Sequence, residues 1–132
     1  MVNAVSVVGL RGILNSAAYV STKHAVSVIT KTAAIEVASH GISVNAIALG
    51  AILTAMMQDA LDQMNPENPK QAELEFAKNN ISKRLGLPEE VAKLVVFLLI
   101  EDYINGKILP SMEDSPMLTF HKPSLFESYI NY

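Results

Sequence analysis

Hydrophobic and polar positions along the chain change their period several times, and each change marks an element. Val2 to Val8 is a short valine-rich run closed by Gly9-Leu10-Arg11-Gly12, the pattern of a buried strand that ends in a loop. From about Ala17 to Ser39 the residues Ala18, Thr22, Ala25, Val26, Ile29, Ala33 and Val37 recur at helical spacing. They predict a helix with a small-residue face able to approach a sheet or another helix closely. Asn15 or Ser16 can cap its start, and Gly41 suits the left-handed position that ends it. Ile42 to Ala48 alternates and then turns apolar, as a second buried strand does. Strand, helix and strand in that order predict one βαβ unit with a right-handed crossover.

Leu49 to Ala55 then reads as a loop, and Met56 to about Asn80 as helical material interrupted at Asn65-Pro66-Glu67-Asn68-Pro69. The two prolines split that stretch into two short helices, a lid-like insertion rather than core. At Gly86-Leu87-Pro88-Glu89-Glu90 a further helix begins: proline fits its first turn and the glutamates complement the positive end of its dipole. Val91 to Ile100 is nearly all apolar, which predicts burial on more than one side. Ile104 to Leu109 reads as a third parallel strand, and beyond Pro110 the periodicity disappears.

Composition narrows the partners. The chain has 132 residues, half of them hydrophobic and 17% charged, enough for one globular domain with a real core. A net charge of -3, with scattered lysines and arginines, lacks the basic footprint of a nucleic-acid binder. No cysteine is present, so disulfides and thiolate metal sites are ruled out, and a reducing, cytoplasmic compartment is expected. The first residues lack the basic region of a signal peptide, and Arg11 interrupts their apolar run. Gly41 to Gln58 carries no formal charge and has borderline spanning length. Ser43, Asn45, two glycines and Thr54 dilute it, and no membrane span is expected.

The candidate chemistry starts at Tyr19 and Lys23, which are four apart and therefore share one helix face. A tyrosine titrates near about 10 when unperturbed, too high for proton transfer at neutral pH, and a neighbouring ammonium stabilises the phenolate form. Ser6 lies near the carboxyl end of the first strand, the edge where open α/β sheets bind ligands. Its hydroxyl could hold a substrate oxygen against the phenol.

The order of further motifs gives these residues a context. Asn3 to Gly9 (NAVSVVG) is followed by Ala18-Tyr19-x-Ser21-x-Lys23-His24-Ala25, Thr30-Lys31, Glu36 and Gly41-Ile42-Ser43-Val44-Asn45-Ala46-Ile47. Gly50-x-Ile52-x-Thr54, Leu87-Pro88-Glu89-Glu90-Val91-Ala92 and Tyr103-Ile104-Asn105-Gly106 complete the series. Over Met1 to Pro110 the chain resembles the carboxyl-terminal half of the short-chain dehydrogenase/reductase family. The resemblance implies an α/β fold, part of a Rossmann-like doubly wound parallel sheet with about three strands and flanking helices. It implies NAD or NADP as cofactor and an alcohol/ketone pair as substrate. By the same resemblance Ser6 polarises the substrate and Tyr19 is the general acid/base. Lys23 supports Tyr19 and binds the nicotinamide ribose, and Gly50, Ile52 and Thr54 hold the nicotinamide carboxamide. Residues 55–85 match the family's variable substrate lid. Leu49 stands where the family usually has proline, which removes a fixed backbone angle from the cofactor loop.

Other parts of the family pattern are missing from these residues. The six glycines form no Gly-x-Gly-x-x-Gly between a strand and a helix, so no glycine-rich helix start is available for a pyrophosphate. The expectation is a truncated chain whose amino-terminal half of the fold is missing, with an exposed apolar edge on its first strand. Where the family commonly reads Pro-Ile-Asp-Gly-Gly-Gln-Ser, this chain reads Pro110-Ser111-Met112-Glu113-Asp114-Ser115. Codons such as CCA TCG ATG GAG GAC AGT contain ATC GAT GGA GGA CAG in another frame, so residues 111–132 are read as an out-of-frame tail, which the coding DNA decides. Three readings stand: an NAD(P)-dependent oxidoreductase completed by a separate amino-terminal half, an inactive remnant, and a small α/β interaction module. Self-association is expected, because relatives usually pack the Tyr-Lys helix against a partner subunit.

Overall fold

The structure is a computed structural model and describes residues 1–78 and 80–111. Strand β1 is Val2–Ser6, helix α1 Ala17–Glu36 and strand β2 Asn45–Leu49. Helices α2, Ala55–Met64, and α3, Pro69–Ala77, form the two-helix insertion that the sequence reads as lid-like, called the lid below for position only, and α4, Pro88–Ile100, leads to strand β3, Ile108–Pro110. The three strands make one parallel sheet in the order β1-β2-β3. This is the α/β, Rossmann-like arrangement with flanking helices that the sequence predicts. Val2 pairs with Asn45 and Ser6 with Leu49, so the carboxyl ends of β1 and β2 are level. Ser6 and the loop after Leu49 therefore open on the same edge of the sheet, where such sheets present ligand sites.

The middle strand is the core. Every residue from Val44 to Ala48 is buried, and successive side chains point to opposite faces, so both faces of β2 are covered. Helices α1 and α4 both pack on it. One of its buried residues is polar. Asn45 is 0% exposed; its Nδ2 donates to the Ile104 carbonyl at 2.7 Å, and its Oδ1 accepts from the Lys107 N–H at 3.0 Å. Asn105 answers from the other side: its Oδ1 accepts from the Val44 N–H at 2.8 Å and its Nδ2 donates to the Ala34 carbonyl at 3.2 Å. Two amides thus fasten the loop before β3 to the start of β2 and to the end of α1. Gly106 turns that loop with φ +68°, a left-handed angle that costs glycine little.

The lid has a core of its own. Leu61, Ala72, Ala77 and Leu85 are buried together, with Leu53, Met57, Met64 and Phe76 packed around them. Its neck is closed by two backbone bonds: Leu53 N–H donates to Gly86 O at 2.8 Å, and Gly86 N–H to Ala51 O at 2.9 Å. Just beyond the neck, Arg84 reaches Glu90 with both terminal nitrogens, at 2.8 and 2.6 Å, while Glu90 also accepts from the Leu87 N–H at 2.8 Å. The Arg84 guanidinium, helped by that backbone N–H, holds the Glu90 carboxyl down from an ordinary 4.5 to about 2.

Several expectations need correction. Helix α4 is not buried on more than one side among the described residues: Leu98 is 1% exposed, whereas Val96, Phe97, Leu99 and Ile100 are exposed. The sheet covers only the stripe that contains Leu98. On α1 the covered face also differs. Ala18, Thr22, Ala25 and Ile29 face outward, and the residues in the interior are Ser27, Thr30 and Ala34. The helix buries its small polar residues because Thr30 and Ser27 have partners across the gap, Asn3 Nδ2 donating to Thr30 Oγ1 at 2.9 Å being one. Helix α1 ends at Glu36 and a 3₁₀ turn, Ala38–His40, carries the chain to Gly41 at φ +70°. Of the two expected cap residues, Asn15 and Ser16, it is Ser16 that precedes α1, but its hydroxyl makes no capping bond. Strand β2 begins three residues later than predicted and β3 four residues later, since the stretches before them are taken up by the Asn45 and Asn105 contacts. The uncharged stretch from Gly41 to Gln58 is divided among β2, a loop and the start of α2. No helix among the described residues is long and apolar enough to cross a membrane. Residues 112–132, most of the expected out-of-frame tail, lie outside the described residues.

Two outcomes follow from these contacts. Asn45→Ala leaves the Lys107 N–H and Ile104 carbonyl without partners and is expected to cost about 2–4 kcal/mol, read as a lower urea midpoint; a change below about 0.5 kcal/mol would contradict the clasp. The Glu90 contribution has the sign of a depressed carboxylate. It is complete above pH 4.5 and is lost as pH falls towards about 2. Unfolding midpoints of the native chain and of Glu90→Gln should therefore differ near neutrality and converge over that acid window, with an unchanging gap as the contrary result.

Candidate active site

Ser6 ends β1 in extended conformation, and its Oγ accepts from the Val8 N–H at 3.4 Å, opening the 3₁₀ turn Val7–Gly9. As that bond uses only the oxygen, the hydroxyl proton stays available for donation. The turn lies against α1. A Cβ on Gly9 would fall 2.4 Å from Val5 Cγ1 and 2.8 Å from the Lys23 carbonyl oxygen, so only glycine lets the two backbones come this near. Across the same contact Ser27 Oγ donates to Gly9 O at 3.0 Å.

Tyr19 is the third residue of α1 and is 51% exposed. Lys23, one turn on, places its Nζ 5.7 Å from the centre of the Tyr19 ring, within the range of a cation–π contact. The first turn is tied by Thr22 Oγ1, which donates to the Tyr19 carbonyl at 2.7 Å, and by the Val20 N–H bond to Ser16 O at 2.8 Å. The pair is therefore held on a regular helix rather than on a loop. The structure joins Tyr19 to Lys23 directly and brings Ser6 to their helix through the Gly9 turn. Among the described residues no hydrogen bond links Ser6 to Tyr19.

Gly50, Ile52 and Thr54 follow β2 at the same sheet edge. Gly50 N–H donates to Ser111 Oγ at 3.4 Å, and Thr54 Oγ1 accepts from the Met57 N–H at 3.3 Å as the cap of α2. Ile52 forms a parallel bridge with Gly86. The bonds of that bridge belong to Ala51 and Leu53, so the N–H and C=O of Ile52 are turned to the opposite side, with no partner for either among the described residues.

The fit to a nicotinamide dinucleotide is thus uneven. An outward backbone donor and acceptor at Ile52 and an ammonium at Lys23 suit the nicotinamide riboside end. The pyrophosphate end finds no cradle among the described residues. The one glycine near a helix start, Gly86, has its open side filled by Ile52 Cδ1, 2.7 Å from where a Cβ would lie, so it serves packing at the lid neck. A cleft of about 470 Å³ does exist, lined by Ile52, Asn80, Arg84, Gly86, Glu90 and Ser111 among others. It lies at the base of the lid, apart from Tyr19.

Sequence reasoning missed Gly9 and Ser27. Gly9 was legible only as the close of a valine run, although a glycine after a strand also marks a close backbone approach. Ser27 fell off the small-residue stripe counted from Ala18. Stepping instead from Tyr19 through Lys23, Ser27, Thr30 and Ala34 at i+4, i+4, i+3 and i+4 recovers the buried face.

Comparison with known proteins bears on the family and the fold. A family model described as enoyl-(acyl carrier protein) reductase matches residues 1–111. Levodione reductase of Leifsonia aquatica is 45% identical over 112 residues, 83% of this chain and 42% of that protein. A solved structure of a levodione reductase, 44% identical, superimposes with a TM-score of 0.74 and covers 83% of this chain and 43% of that chain. Cyclohexanol dehydrogenase of an Acinetobacter species is 40% identical over 108 residues, 80% of this chain and 39% of that one. The structure of ElxO with NADP bound superimposes with a TM-score of 0.72 at 37% identity, covering 83% of this chain and 43% of that chain. The chain spans about two fifths of the length of the relatives it matches. Its fold, the order of its motifs and the match over residues 1–111 make it a member of the short-chain dehydrogenase/reductase family.

Proposed function

We propose that residues 1–110 are the proton-transfer half of an NAD(P)-dependent oxidoreductase that interconverts an alcohol and a ketone. The observation that carries this reading is the Lys23 ammonium over the Tyr19 ring at 5.7 Å, on a helix braced against the turn that follows Ser6. In the reductive direction Tyr19 donates its phenolic proton to the substrate oxygen, Ser6 holds that oxygen by a hydrogen bond, and Lys23 stabilises the phenolate left behind. A bound nicotinamide would supply the hydride. Lys23 and the outward backbone of Ile52, with Gly50 and Thr54 beside it, would hold the nicotinamide riboside. Residues 55–85 shape the substrate site, and residues 111–132 are a tail outside the family pattern. The names of the relatives, a reductase and an alcohol dehydrogenase, and the NADP bound to ElxO support the choice of chemistry. A cytoplasmic location and self-association belong to the same reading.

A second reading has its own observation behind it. These 132 residues hold no glycine-rich helix start, so by themselves they are read as inactive, and turnover is expected only where an amino-terminal half holds the adenine and pyrophosphate. Co-expression with the amino-terminal half of a relative such as levodione reductase distinguishes the two. Ketone-dependent oxidation of NADH or NADPH is expected from the pair, and Tyr19→Phe is expected to lower kcat by about 10²–10⁴-fold. A pair that turns over equally well with Tyr19→Phe would refute the proton-transfer role, and a soluble pair without turnover would favour the remnant.

A further inference from the structure

Ser27 has no part in the chemistry above, yet its side chain is one of the few buried polar ones, 5% exposed. Its Oγ lies 3.0 Å from Gly9 O and 3.2 Å from Lys23 O. The second contact is the local bond to residue i−4 that a helical serine makes readily. The first spans 18 residues and joins two elements. Gly9 is buried, and among the described residues no backbone N–H bonds its carbonyl. The serine hydroxyl is therefore what satisfies that acceptor, which would otherwise be an unpaired buried group.

The position of the tie gives it meaning. Ser27 is one turn beyond Lys23 and two beyond Tyr19, on the same helix face. Gly9 is three residues beyond Ser6, in the turn whose first bond is made to Ser6 Oγ. Steric closeness alone presses the turn on the helix, since the Gly9 backbone is already at the limit of approach. Sterics of that kind stop the turn from moving inward but do not stop it from sliding along or lifting off the helix. A directional hydrogen bond does.

We propose that Ser27 is a positioning residue, whose hydroxyl fixes the Val7–Gly9 turn on α1 and so sets Ser6 at the height of Tyr19 and Lys23. The tie itself is a property of this chain; its consequence for turnover rests on the oxidoreductase reading.

Amide hydrogen exchange tests the tie without cofactor or activity. The reporters are Val8, whose N–H is bonded to Ser6 Oγ, and Leu10, whose N–H is bonded to Val7 O. Ala46 in β2, bonded to Lys107 O, is the reference. Ser27→Ala should speed exchange at Val8 and Leu10 about fivefold relative to Ala46, the loss of one ordinary hydrogen bond, and Ser27→Thr should restore the ratio. Leu98→Ala, which loosens the fold elsewhere, should speed all three together. A Ser27→Ala ratio unchanged from the native chain, or one that moves only as Leu98→Ala moves it, overturns the proposal. In the co-expressed pair Ser27→Ala should lower kcat about fivefold or more with the KM for NAD(P)H unchanged, recovered in Ser27→Thr. A normal kcat despite faster local exchange also overturns the positioning role. If Tyr19→Phe is without effect while the exchange ratio changes as expected, the oxidoreductase reading fails and the tie stands.

Discussion

A buried amide needs every one of its partners, and in this chain that requirement falls on Asn45. It occupies the first position of the one strand that, among the described residues, has neighbours on both sides, in a buried segment. Its two bonds reach the loop that delivers β3, and Asn105 in that loop returns two more to β2 and to α1. Four hydrogen bonds around one point therefore decide where the third strand starts, where the helix ends and how far the middle strand is pushed along the sheet. Apolar packing alone would leave that register soft, because Ala46, Ile47 and Ala48 would be as well buried after a small slide. Leaving an amide unpaired in such a place costs about 1–3 kcal/mol per group, enough to select one register.

Register has a chemical consequence. With Ser6 opposite Leu49, the hydroxyl at the end of one strand and the loop at the end of the next share an edge, and α1 begins above it. The helix comes close because its inner face is built from serine, threonine and alanine, and each polar member has a partner on the β1 side: Asn3 for Thr30 and Gly9 for Ser27. Tyr19 and Lys23 extend that same face beyond the sheet, Tyr19 exposed and Lys23 half-buried. Buried small polar residues hold the helix, and the larger residues further along the same face carry the proposed chemistry.

Much of this was legible in the residues. The valine run, the long helix and the alternating second strand were readable from periodicity, the two lid helices from Pro66 and Pro69, and the left-handed stop from Gly41. The candidate site was legible from motif order, which places Ser6, Tyr19 and Lys23 correctly on a strand end and a helix face. Hydrophobic pattern misled in two places. It made α4 look buried on more than one side, because nine apolar residues among the ten from Val91 to Ile100 say nothing about how many neighbours are there to cover them. It also chose the wrong stripe of α1, because a stripe count rewards alanine and valine, whereas the buried face here is held by hydroxyls whose partners are far away in sequence. The strand starts were misjudged for a related reason: Ile42 and Ile104 look like strand residues, but the asparagines beside them commit the backbone to cross-links.

Reduction of a ketone needs a hydride donor beside the proton donor, and among the described residues contacts are proposed for the nicotinamide end of that donor alone. On the proposed reading the proton-transfer elements lie in these residues, whereas no glycine-rich helix start for the dinucleotide lies among them. Nicotinamide fluorescence tests it directly, by titrating NADH and NADPH into the purified chain alone and then into the chain with an amino-terminal half of a relative supplied. Enhancement and a saturable curve are expected only in the second titration. Saturable, tight binding by the chain alone would contradict the claim and would require a pyrophosphate site made from residues other than a glycine-rich helix start.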